Sequence, residues 1–141
     1  MRVRTKKGFR ALATDGRIYQ GIADGEVYLV FGICSDEYRL WDRDGEPILY
    51  PKRFFEVLDP RIPNGWVFHE HEGGEYHLEP ETTSVAGFYE DYFGDEGDLA
   101  AKEKARDAVR DVLSRMRDTL DSEHRALVEV ALERAEERYR E

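Results

Sequence analysis

Residues 26–50 read EVYLVFGICSDEYRLWDRDGEPILY, and the fold follows from how this stretch is punctuated. Asp44-Gly45 is a pair that tolerates the positive φ angles of a tight hairpin turn, and Asp15-Gly16 and Asp24-Gly25 repeat it upstream. Around these turns lie runs of strand length at 8–13, 17–22, 26–34, 37–42 and 47–50. Alternation is clearest in Tyr38-Arg39-Leu40-Trp41-Asp42, where Tyr38, Leu40 and Asp42 fall on one face. Short strands at about ten-residue spacing, joined by tight turns, predict a small antiparallel barrel or sheet. Arg2, Arg4 and Lys6 also alternate, which predicts an opening edge strand with a charged face.

Downstream, the run 37–59, EYRLWDRDGEPILYPKRFFEVLD, resembles the closing part of SH3-like barrels found in short bacterial and phage proteins. There a strand and tight turn lead to a Tyr-Pro pair, here Tyr50-Pro51, and then to a Phe-Glu-Val-aliphatic-Asp strand, here Phe55 to Asp59. The resemblance covers roughly residues 1–60 and departs at Phe54, where an aliphatic residue is expected. It implies an SH3-like barrel. Such modules bind proteins, peptides or nucleic acids, and the fold alone does not choose among these.

Pro60, Pro63 and Asn64-Gly65 then make a rigid connector. Residues 66–72 and 75–78 flank Gly73-Gly74 as a second hairpin, with Trp66, Phe68, Glu70 and Glu72 on one face and Val67, His69 and His71 on the other. Residues 82–93 predict a short helix, with Thr83 or Ser84 as N-cap and Gly94 in the left-handed position after it. Phe88 pairs with Tyr92, and Tyr89 with Phe93, at i, i+4 spacing. From Asp98 to Glu141 there is no Gly or Pro, and Leu99, Ala105, Val109, Val112, Leu113, Met116 and Leu120 form one apolar stripe. Asp95 or Asp98 caps this helix, and Asp121-Ser122 caps another whose inner face takes Leu127, Val130, Ala131 and Tyr139. The expected fold is α+β: a small antiparallel SH3-like barrel or sheet, a short helix and a C-terminal helical hairpin. The 141 residues read as one domain, with a barrel part at 1–60, a connector and hairpin at 61–81 and a helical part at 82–141.

Charge is distributed unevenly. The chain carries 31 acidic and 21 basic residues, a net charge of −10. Residues 62–101 contain no Lys or Arg, yet hold ten carboxylates and three of the four histidines. Outside them acidic and basic residues balance, so the whole excess belongs to this stretch. That balance opposes binding to phosphate backbones and favours a basic protein partner. The single cysteine, Cys34, excludes a disulfide framework and reads as a small buried thiol in a strand. The basic N-terminus is not followed by an apolar signal region, and no apolar run is long enough to span a bilayer; a cytoplasmic protein is expected.

Catalytic signatures are missing from the sequence: no Gly-x-Ser-x-Gly elbow, no Walker loop and no Gly-x-Gly-x-x-Gly. Cys34 has no histidine or basic neighbour in sequence to lower its pKa. His69, His71 and His77 are the one set able to hold a metal, but His-x-His recurs by chance and no longer spacing reinforces it. Surface histidines are expected, with no metal, no cofactor and no enzyme activity.

The layout from the Trp66 hairpin through Gly87-Phe88-Tyr89-Glu90-Asp91-Tyr92-Phe93 to a helical tail is similar to predicted immunity proteins of bacterial polymorphic-toxin and contact-dependent-inhibition systems. That resemblance implies a non-enzymatic acidic protein that covers the active site of a basic toxin. The expected contact set is Glu70, Glu72, Glu75, Glu90, Asp91, Asp95 and Glu96 for steering, with Tyr89 and Tyr92 as aromatic anchors. Three other readings remain: a decoy imitating nucleic acid, an SH3-like adaptor using Tyr28, Tyr38 and Trp41, and a metal-dependent enzyme built on the three histidines. Oligomeric state is not legible from sequence.

Overall fold

The computed structural model describes residues 1–12, 19–94 and 98–141. Its strands are β1 (Arg2–Thr5), β2 (Val27–Cys34), β3 (Glu37–Trp41), β4 (Pro47–Pro51), β5 (Phe55–Asp59), β6 (Trp66–Glu70) and β7 (Tyr76–Pro80). Three helices follow: α1 (Phe88–Phe93), α2 (Leu99–Thr119) and α3 (Ser122–Tyr139). The fold is thus α+β, an antiparallel seven-stranded sheet followed by a short helix and a helical hairpin. Spatial order is β4-β3-β2-β1-β5, with β7 joining β2 and β6 joining β7. A one-turn 3-10 helix over Lys52–Phe54 links β4 to β5, and Tyr50 and Phe55 bring their rings to 6.5 Å across that corner. Among the described residues no ladder joins β4 to β5.

The long central strand explains why two layers form. In β2, Tyr28 and Val30 point into a core shared with Val3, Tyr38, Leu40, Tyr50, Phe54 and Phe55, all buried. Leu29 and Phe31 point the other way, into a second core with Trp41, Val109, Leu113 and Val128. A bulge between Val30 and Gly32 shifts the pairing with β3 by one residue. That returns Ile33 to the first core, since an extra residue inverts the faces beyond it. β2 is therefore apolar on both faces, as its unbroken YLVFGIC run requires. Each fully buried Val or Leu at these faces contributes about 1.5–3 kcal/mol.

Several expectations need correction. Residues 9–12 form a 3-10 turn, not a strand, because Phe9 plugs the first core with its ring 5.5 Å from that of Phe54. Residues 19–22 carry no strand, while Asp15-Gly16 lies outside the described residues. β1 is not an edge; it pairs with both β2 and β5, and Arg4 answers its cross-strand neighbour Glu56 at 3.4 Å. Phe54, at the point of departure from the SH3-like pattern, is fully buried and packs edge-on against Tyr19.

In the helical part, Gly94 has φ −60° and is not left-handed; Gly87, at φ +82°, precedes α1 instead. Thr83 and Ser84 do not cap α1, since their hydroxyls donate to the Glu79 carboxylate and the Glu81 carbonyl within a separate 3-10 turn. Asp98 and Asp121 cap α2 and α3 as expected, accepting from the amides of Ala101 and His124. Two residues assigned to the apolar stripes face solvent: Leu99 is 75% exposed and Val130 39%. The inner face of α3 is completed by His124, Val128 and Ala135.

Candidate partner surface and histidine cleft

The β6–β7 hairpin divides its residues as a two-residue period demands. Register places His69 opposite His77 and Val67 opposite Glu79 on one face, and Phe68 opposite Leu78 on the other. The histidine face closes over a cleft of about 400 Å³, whose far walls are Arg39, the 83–87 segment and the start of α1. Inside it His71 Nε2 and His77 Nδ1 face one another at 2.8 Å. His69 lines the same cleft.

Cys34 also lines this cleft, because β2 pairs it with His77 and β3 supplies Arg39 beside it. Sequence neighbours did not announce either contact; only strand register could. Burial nevertheless pushes the Cys34 thiol up, against the smaller opposing pull of Arg39, so the cysteine remains a thiol at neutral pH. Arg39 lies flat over the Tyr89 ring at 3.6 Å and donates to the Pro47 carbonyl. Burial likewise pushes the Tyr89 hydroxyl well above its ordinary range.

The expected contact residues separate into three groups. Glu70, Glu72, Glu75, Glu90 and Asp91 are exposed, and no ion pair among the described residues engages them. Tyr89 and Tyr92 do not serve as free anchors. Tyr92 is 4% exposed within the second core, with its hydroxyl 2.7 Å from that of Tyr139, and Tyr89 is roofed by Arg39. Asp95 and Glu96 lie outside the described residues. The reason for the tyrosine correction is geometric: α1 has six residues, and four are aromatic, so the sequence offers no polar face to say which way it turns.

Three large apolar side chains that the sequence reading did not place at a contact surface are exposed. Phe68 is 58% exposed and Val85 64%, and Leu99 stands at the start of α2. Val85, Ala86 and Phe88 form the wall shared by the histidine cleft and a neighbouring groove of about 610 Å³ between α1 and α2. Ala100, Ala101, Ala105 and Ala108 line that groove, with Asp91 and Asp98 among its walls. Tyr28, Tyr38 and Trp41, on which an adaptor would rely, are 1%, 7% and 2% exposed and serve the cores.

A second polar cluster ties the two layers together. Arg61 donates to both oxygens of Asp59, at the end of β5, and to Asp121, the cap of α3. His124, buried at 1%, places Nδ1 3.0 Å from Asp121 Oδ1 and 3.9 Å from Asp59 Oδ2. Hydrogen bonds from Arg61 hold the Asp59 carboxyl well below the usual carboxylate range, and those from the His124 amide and ring do the same for Asp121. These three side chains are the one group of metal-type donors, among the described residues, whose ligand atoms all lie within 4.8 Å. Arg61 already supplies their positive charge, which makes the cluster a structural tie.

No helix among the described residues is long and apolar enough to cross a membrane. Comparison with protein-family models, with characterised proteins and with solved structures finds no match to this chain.

Proposed function

We propose that this chain is a non-enzymatic acidic binding protein for a basic protein partner, acting as an immunity protein that covers the active site of a toxin domain. One observation carries the reading: the exposed carboxylates Glu70, Glu72, Glu75, Glu90 and Asp91 have no ion-pair partner among the described residues and lie in a stretch, residues 62–101, without a single Lys or Arg. Unpaired charge of one sign gives a field that accelerates encounter with a partner of opposite sign. Phe68, 58% exposed on the hairpin face that also carries Glu70, supplies apolar contact beside that charge, and such contacts act mainly on the dissociation rate. The Tyr89 and Tyr92 rings support the surface from below.

The test asks first whether a neighbouring gene encodes a secreted protein with a basic C-terminal domain; finding none counts against the toxin reading. Association of that domain with the native chain and with a charge-reversed variant (Glu70, Glu72, Glu75, Glu90 and Asp91 to Lys) is measured at rising salt. The native chain should bind rapidly at low salt and slow steeply as the Debye length shrinks to about 3 Å. The variant should lose that salt dependence. Equal affinity of native and reversed chains at low salt overturns the proposal.

A further inference from the structure

The two facing imidazoles of the hairpin form a geometry that the sequence spacing alone did not establish. We infer that His71 and His77, with His69 as third donor, form a binding site for a borderline divalent transition metal, of the Cu(II), Ni(II) or Zn(II) class. The inference stands on the hairpin and does not depend on the toxin-partner reading.

The argument is one of distance and donor type. Neutral imidazole nitrogen is a good ligand for these three ions and a poor one for Mg(II) or Ca(II). His71 Nε2 and His77 Nδ1 stand 2.8 Å apart, with their rings at 4.7 Å and 73°. Metal–nitrogen bonds of about 2.0–2.1 Å subtend roughly 85° at that separation, close to the right angle of square-planar Cu(II) or Ni(II). A tetrahedral angle for Zn(II) requires the pair to open by about 0.5 Å, which exposed side chains accommodate by rotation.

In the metal-free pair, one nitrogen donates its proton to the other. On binding, the donor ring's single proton moves to its distal nitrogen by tautomerisation, so both rings ligate as neutral imidazoles with their N–H on His71 Nδ1 and His77 Nε2. His69 sits directly opposite His77 in the ladder, where Cβ atoms are about 4.5–5.5 Å apart. In this structure the three ring nitrogens are not all within 4.8 Å of one another, so His69 joins the pair only when its side chain rotates toward it. The exposed carboxylates Glu70, Glu72 and Glu75 around the turn raise the local cation concentration. With no further protein donor required, the remaining positions stay open to water.

The experiment adds Cu(II) or Ni(II) alone to the full chain prepared without a histidine tag, reading stoichiometry by calorimetry and nitrogen coupling by electron paramagnetic resonance of the Cu(II) form. One equivalent should bind, with nitrogen hyperfine structure in the Cu(II) form. His71→Ala and His77→Ala should each weaken binding by at least about 10–100-fold. Asp121→Asn should leave it unchanged, and circular dichroism should show every variant folded. Absence of stoichiometric binding, or binding that survives His71→Ala and His77→Ala, overturns the inference. So does loss in Asp121→Asn alone, which would move the site to the Asp59–Asp121–His124 cluster.

Discussion

Gly45 is the point at which the β3–β4 turn meets the helical layer, and its replacement by alanine tests how that docking works. The residue sits in the β3–β4 turn at φ +76°, where an L side chain costs about 1–2 kcal/mol. A Cβ there would stand 2.6 Å from the Arg134 carbonyl carbon, closer still to its oxygen, and 3.2 Å from the Ala135 nitrogen. These are backbone atoms of α3 and cannot rotate away. Ion pairs pin the same corner, Glu46 to Arg138 at 2.9 Å and Glu26 to Arg134 at 3.3 Å, so the helix must shift as a unit. Forced repacking of this kind costs about 1–3 kcal/mol. Gly45→Ala is therefore expected to lose about 2–5 kcal/mol, lowering Tm by about 2–4 °C for each kcal/mol. Gly25→Ala is the matched control: its φ is +71°, but a Cβ there meets nothing within 4 Å, so it should lose only the conformational part. Urea melts of both variants, read against native protein, give the comparison. If the two variants are equally destabilised, close backbone approach does not govern the docking of α3.

Three other outcomes are expected. Tyr50→Phe removes the hydrogen bond donated at 2.8 Å to the buried Asp42 carboxylate, whose pKa burial already raises, and should cost about 1.5–3 kcal/mol in equilibrium unfolding. Asp59 and Asp121 have depressed native pKa values, so their stabilisation is present above the unfolded carboxylate value of about 3.9 and is lost as pH falls through the native values. Asp59→Asn should accordingly flatten the acid limb of the stability–pH curve, and an unchanged slope would show that the tie does not couple to folding. Replacing Glu70, Glu72 and Glu75 together by Gln should leave stability unchanged or raise it by a few tenths of a kcal/mol per charge at low salt, while slowing association with a basic partner.

From residue 26 onward the strands could be read from sequence, because each Asp-Gly turn and each two-residue alternation states its own geometry. The same period correctly separated His69 and His71 from Phe68 and Glu70. What escaped was set by tertiary contact. Phe9 reads as a strand residue until Phe54 is known to lie beneath it. The depth of Tyr92 depends on which side of an almost wholly aromatic helix meets α2 and α3. His124 did leave a trace, an acidic residue three positions earlier at Asp121, but the partner that makes this spacing informative is Arg61, sixty residues away.

The contrast between paired and unpaired carboxylates bears on why the acidic stretch contains no Lys or Arg. Surface ion pairs contribute little individually, about 0–1 kcal/mol, so folding does not require them. The chain nonetheless forms them along α2, as in Asp107 with Arg110 and Asp111 with Arg115, between α2 and α3, as in Arg110 with Glu136, and between layers, as in Glu46 with Arg138. A chain that spaces opposite charges in this way on its helices has the means to do so on a hairpin. It places none on the 70–75 turn or on α1, although like charges there repel and an exposed Phe68 adds apolar surface in water. Solubility alone would favour carboxylates but not the neighbouring Phe68, Val85 and Leu99. The combination of unneutralised charge with exposed apolar side chains is unfavourable for the isolated chain, and the proposed basic partner accounts for it by covering both.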